Sequence, residues 1–190
     1  MNLTLNVMHL HVEAINLPQA TVGEPLELKV QPFVEAVAGA LSPQKVLADG
    51  THVDAQDPRT DHVAVFFPDT GWMIAAASLG AGKRYDNHDD ALKAARELRL
   101  LGHDDWQLAP IAPWERHVLD RSRHEPAVHV DLFPGIVSGW HWTSDECAWS
   151  RDEKTGVAAS AWDVDSDNGY VYGGHRNGSG FGLAARRVGQ

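Results

Sequence analysis

The residues with the clearest metal-like spacing are His9-x-His11-x-Glu13. On a strand, positions i, i+2 and i+4 share one face, so two imidazoles and a carboxylate can converge on a zinc-sized ion. The weightier reading is a solvated strand face opposite Met8, Leu10 and Val12. His52-x-Asp54 and His129-x-Asp131 repeat the idea with fewer ligands. Asp163-x-Asp165-x-Asp167 opens like an EF-hand loop, which needs Gly next and Glu at its twelfth position. Asn168 and Gly174 stand in those places, so the segment reads as a turn between strands.

Nucleophilic chemistry has less support. Cys147 with His141 would be a thiol and base, but a buried small residue beside Trp142 and Trp149 is the simpler reading. No Gly-x-Ser-x-Gly elbow is present, and Gly173 to Gly180 lacks the Lys-Ser/Thr of a phosphate loop. Two loops look better suited to binding than to catalysis. Asp145 to Thr155 sets Trp149 among charges, including Arg151 and Asp152, as on a binding rim. His175, Arg176 and Asn177 form a donor-rich set for a carboxylate, a sugar hydroxyl or a protein partner. Trp149, Arg151, Asp152, His175, Arg176 and Asn177 are therefore the expected partner-binding residues. No catalytic residue, no cofactor and no metal site is expected, and His9, His11 and Glu13 are the residues that a metal would use if one were bound.

The 190 residues are 43% hydrophobic and 22% charged, a globular composition for one domain or one domain with an extension. The formal net charge of -10 argues against direct nucleic-acid binding and favours a partner with a basic surface. A single cysteine excludes an intrachain disulfide. No run of about 18 apolar residues marks a membrane span, and the first residues lack the pattern of a secretory signal. A cytoplasmic location is expected.

Several elements must position these residues. Residues 1 to about 17 and Leu26 to Val30 alternate like strands, whereas 42 to 61 read as loop or linker. His62–Phe67 and Gly71–Ala77 flank Pro68-Asp69-Thr70-Gly71 as a hairpin. Asn87 caps a helix whose apolar face is Ala91, Leu92, Ala95, Leu98 and Leu101, with Gly102 as its stop. A second helix is expected from Pro110 to about Arg121, with Trp114, Val118 and Leu119 facing the core. Short strands follow at Gly139–Thr143, Val157–Val164, Gly169–Gly173 and Phe181–Val188. The fold class is α+β, with an N-terminal β-containing extension over 1–60 and a domain over 61–190.

The order of these pieces resembles the Lcl C-terminal domain family, built on a C-type-lectin-like fold with two helices and short antiparallel strands. Asp69-Thr70-Gly71-Trp72-Met73 is similar to its opening "TGLMW", and Gly102 to Ala109 stands where "G-(Y/F)-x-D-W-R-L-P" follows. Leu108 to Glu115 matches the Leu, Trp and Glu spacing of "LPTxxEW" in the wider formylglycine-generating superfamily. Phe133-Pro134, Gly139 to Ser144, Ala161-Trp162-Asp163-Val164 and Ala184 to Val188 echo later motifs. The resemblance covers about 61 to 188 and implies that Trp72, Trp106, Trp114, Trp140, Trp142 and Trp162 are core, leaving Trp149 as the candidate surface tryptophan.

The departures matter as much. Family members often carry two cysteines where Ala95 and Ala184 or Ala185 stand here. Formylglycine-generating enzymes need a reactive cysteine pair, and Cys147 is alone. The related iron-dependent sulfoxide synthases use His-x3-His-x-Glu, whereas this chain has His124-x4-His129-x-Asp131. The Glu-Pro-Asn and Trp-Asn-Asp loops of calcium-binding lectins are absent. The expectation is thus a non-catalytic binding protein that uses its C-terminal loops on a protein partner. Relatives in phage imply one form of this, an inhibitor of a host defence complex acting in the host cytoplasm. The alternatives are a glycan-binding adhesin or tail-associated module, and a metal-dependent enzyme built on His9, His11 and Glu13.

Overall fold

The computed structural model describes residues 41–189. Two sheets, one ten-residue helix and several shorter helical turns make up this part of the chain, an α+β architecture. The first sheet has strands β1 (Gln44–Val46), β2 (His52–Asp54), β3 (Ala64–Phe67), β4 (Trp72–Ala75), β5 (Gln107–Leu108) and β10 (Ala184–Arg187). Its order is β2-β1-β3-β4-β10-β5, antiparallel throughout. The second contains β6 (Trp140–Glu146), β7 (Ser160–Asp165), β8 (Tyr170–His175) and β9 (Phe181–Gly182), ordered β8-β7-β6-β9. Only its β6–β9 pair is parallel.

The β3–β4 hairpin forms as its turn residues predict. Gly71 adopts φ 69°, and its N–H donates to the Phe67 carbonyl at 2.8 Å. Every residue of β4 is buried, so this strand is covered on both faces and reads as an unbroken apolar run. Residues 42–61, expected as loop or linker, instead carry the β1–β2 hairpin. Gln44, Lys45 and Val46 pair with Phe66, Val65 and Ala64, so the sheet crosses the boundary expected at residue 60. Three-residue strands are too short to leave a periodic signature.

Helix α1 (His88–Glu97) starts where expected, with Asn87 Oδ1 accepting from the Asp90 N–H at 2.9 Å. It stops earlier. Leu98 is already extended, and Leu101 and Gly102 take positive φ in a separate turn closed by the His103 N–H to Leu100 carbonyl bond. The Trp106 indole N–H also donates to that carbonyl at 3.1 Å, so a buried tryptophan competes for the backbone a longer helix would use. The buried face of α1 is His88, Ala91 and Ala95.

Segment α2 (Ile111–Pro113) begins with its Ile111 N–H held by Asp145 Oδ2 at 2.7 Å and widens into a π-helical turn over Trp114–Val118. It ends at Val118 rather than near Arg121, because Leu119 turns extended and bridges Val128. Trp114, Val118 and Leu119 are buried as expected.

The chain moves from the second sheet to the first through Phe181–Arg187. Gly182 makes this crossing possible, since a Cβ there would meet Leu79 Cδ1 at 2.9 Å and Leu108 Cδ1 at 3.0 Å. Trp72, Trp106, Trp114 and Trp142 are core residues. Trp140 and Trp162 are not: Trp140 is 37% exposed and Trp162 is half-buried. Both lie on strands of the second sheet, whose surfaces are only partly covered.

Candidate binding face

Exposed large hydrophobic side chains gather at the second sheet. Trp140, Trp149, Val157, Tyr170 and Tyr172 all belong to it or to the loop joining β6 and β7. Register explains the arrangement. Trp140, Asp165 and Tyr170 form one cross-strand row, and Trp142, Asp163 and Tyr172 the next. Residues two apart on a strand share a face, so both rows point the same way. The Trp140 and Tyr172 rings meet edge-on with centroids 4.9 Å apart, and Tyr170 lies 6.1 Å from Tyr172. Such contacts fix the rings in place while leaving their outer surfaces to solvent.

The glycine-rich stretch serves this face. Trp142 is buried and its indole occupies the space that side chains at Gly174 and Gly180 would take. A Cβ at Gly180 would lie 2.8 Å from its Nε1 and one at Gly174 would lie 3.0 Å from its Cη2. His88 packs edge-on against the same ring at 5.3 Å. The loop is therefore glycine-rich to close over a tryptophan, rather than to cradle a phosphate. Gly173 plays a matching role for Cys147 and Trp149, whose Sγ and Cζ2 lie 2.9 and 3.1 Å from its built Cβ. Cys147 is fully buried, and burial, with Asp163 second, pushes its thiol up. That thiol packs against Gly173 in the interior.

The residues expected to bind a partner divide into two groups. Trp149 is 70% exposed on a short helical turn, Ala148–Ser150, and offers an open ring. His175 and Asn177 are exposed, the Asn177 N–H donating to His175 Nδ1 at 3.3 Å. Three others are occupied within the protein. Arg176 pairs with Glu146 Oε1 at 3.2 Å and with Asp89, tying β8 to β6 and α1. Arg151 pairs with Glu146 Oε2 at 2.5 Å and donates to the Gly156 carbonyl. Asp152 accepts from the Lys154 and Thr155 N–H groups at 2.9 and 2.7 Å, which holds its carboxyl below the usual range. The sequence reading missed Trp140, Tyr170 and Tyr172. The i, i+2 spacing of the two tyrosines is legible in the sequence, but the cross-strand register that joins them to Trp140, and which strand face stays open, are not.

His141 is paired differently from the thiol–imidazole idea. Its Nδ1 faces the Gly139 carbonyl at 3.0 Å, which makes Nδ1 the protonated nitrogen. Nε2 then accepts from the Ser78 hydroxyl at 2.9 Å. Ser78 and His141 are both buried, and the Val137 N–H donates to the same hydroxyl oxygen. Burial holds the imidazole down at about 4, and the pair links the end of β4 to β6.

His9, His11 and Glu13 lie outside the described residues. Among the described residues no group of three or more His, Cys, Asp or Glu is arranged to hold a metal ion. His52 bonds Gln44, His129 lies near Asp120, and Asp131 near Arg123. In the Asp163–Asp167 segment, Asp165 accepts from the Asp167 N–H at 3.0 Å and from Asn168 Nδ2 at 2.6 Å, closing the β7–β8 turn. A cleft of about 400 Å³ opens elsewhere, beside β1 and His129. Its Lys45 ammonium is engaged by the carbonyls of Asp57 and Arg59 at 2.6 and 3.0 Å. No helix among the described residues is long and apolar enough to cross a membrane.

These features define an α+β domain of two sheets with one open aromatic face. The Lcl C-terminal domain model matches residues 68–186, and the chain belongs to that family. No curated protein matches the chain significantly.

Proposed function

We propose that this is a non-catalytic binding protein that docks a protein partner on the outer face of its second sheet and the adjoining Trp149 loop. The observation that carries this reading is the concentration of exposed aromatic side chains at that face: Trp140, Trp149, Tyr170 and Tyr172. Tyrosine and tryptophan supply contact area at low conformational cost and are enriched where protein interfaces hold their energy. The Ser78–His141 pair is sealed from substrate, and Cys147 is packed rather than poised. With a net charge of -10, a partner with a basic surface would be steered to it. A phage-encoded inhibitor of a host defence complex is one protein with these properties, and the host cytoplasm would be its place of action.

The test is capture of partner proteins from host lysate at two salt concentrations. Wild type is compared with Trp149→Ala, Tyr172→Ala and a distant control, Lys93→Ala. Proteins retained by wild type and control but lost from both face variants, and retained less at high salt, support the reading. Equal retention by all four overturns it.

A further inference from the structure

Beneath the aromatic face lies a charge that the fold leaves unanswered. Asp163 and Asp165 sit on the middle strand β7, with Trp140 and Trp142 on one side and Tyr170 and Tyr172 on the other. Strands two apart in a sheet are separated by about 10 Å. The Trp140 and Tyr172 centroids are 4.9 Å apart, so these rings lean inward and roof the carboxylates of β7.

Asp165 is satisfied from within by Asp167 and Asn168. Asp163 is not. It is 8% exposed, its Oδ1 is buried without a hydrogen-bond partner, and no lysine or arginine is among the charges acting on it. Burial, and then Asp165, push its carboxyl up to about 6. Its other oxygen lies over Gly174, where a Cβ would collide with it, so only glycine leaves that lip open.

An unpaired buried carboxylate is costly unless a cation answers it. The faces of Trp and Tyr rings attract the same sign of charge. One free carboxylate falls short of a metal's ligand count, which leaves an organic cation. Arginine fits best, because its planar guanidinium stacks on rings while its edge donates to a carboxylate, which a lysine ammonium cannot do.

We propose that Asp163, roofed by Trp140 and Tyr172, is the specificity subsite of the binding face and takes an arginine side chain of the protein partner. The guanidinium packs against this ring pair and donates to Asp163 at the Gly174 lip. This inference rests on the docking reading above and gives the partner's contact segment its chemistry: it carries arginine.

The probe is the peptide acetyl-Gly-Arg-Gly-Arg-Gly-amide, with citrulline and lysine versions as uncharged and ammonium controls. Binding is read by the indole N–H resonance of Trp140 and by tryptophan fluorescence. The expected result is saturable binding of the arginine peptide, at least tenfold weaker for citrulline and weaker for lysine. Asp163→Asn should lose at least tenfold in binding while melting at a higher temperature than wild type, a pairing that a folding defect cannot produce. Tyr172→Phe, which keeps the ring, should bind like wild type. Equal binding of arginine and citrulline, undiminished binding by Asp163→Asn, or no binding of the arginine peptide at millimolar concentration would each overturn the subsite. If partner capture from lysate still depends on Trp149 and Tyr172 in that case, the docking face stands and only its arginine specificity falls.

Discussion

The two sheets solve different problems. In the first, β3 and β4 are buried almost without interruption, and Phe67, Trp72, Met73 and Ile74 join a core shared with Trp106, Trp114 and Phe133. In the second, β7 carries two buried carboxylates, and β8 is largely exposed. Unpartnered buried polar atoms occur near both sheets, at His62 Nδ1 and Trp114 Nε1 as well as Trp142 Nε1 and His88 Nδ1, but the unpartnered carboxylate oxygens, Asp163 Oδ1 and Asp167 Oδ1, lie on β7 and the turn after it. The first sheet thus supplies stability, whereas the second retains unsatisfied polarity and open aromatic surface, the features a binding face needs and a core avoids.

Mutations should separate these roles. Trp106→Ala removes a 2% exposed indole from the shared core and should cost about 3–5 kcal/mol in chemical denaturation. A loss under about 1 kcal/mol would break the contrast. Asp163→Asn should act in the opposite direction. Its folded-state value of about 6 lies above the ordinary 3.8, so the protonated form is the one the fold prefers. Its contribution to stability is therefore complete below about pH 4 and is lost as pH rises through about 6. At pH 7.5 the asparagine variant should be about 1–2 kcal/mol more stable than wild type, allowing for water at the outer oxygen, with the gain vanishing by pH 4. Unfolding curves at the two pH values decide this.

Asn87→Ala tests the junction between the two regions, since α1 packs against Trp142 through His88. Loss of its cap to Asp90 should cost about 1 kcal/mol, with early amide exchange in the first turn of the helix. The smallest effect on stability should come from Trp149→Ala, under about 1 kcal/mol at a side chain 70% exposed, together with loss of partner capture. A large loss of stability there would place Trp149 in the structural half of the contrast.

Some of this was legible in the sequence for identifiable reasons. Asn87 announces α1 because a cap is a local event between neighbouring residues. Pro68 to Gly71 announces the β3–β4 turn because Gly71 must take a positive φ. The β1–β2 hairpin escaped notice because three-residue strands show no period. Arg176 looked like a free donor because its acceptors, Asp89 and Glu146, are 87 and 30 residues away. Trp140 looked like core because motif position does not say which strand face a neighbouring layer covers.

Residue types, local caps, turns and order along the chain settled the fold class and the family from sequence alone, because these depend on near neighbours and their succession. Tertiary structure alone decided that Gly174 and Gly180 exist to seat Trp142, that Arg176 is a tie, and that Asp163 lies unpaired beneath Trp140 and Tyr172. The physical reason is that burial and pairing are properties of distance in space, set by sheet register between strands whose spacing in sequence does not encode it.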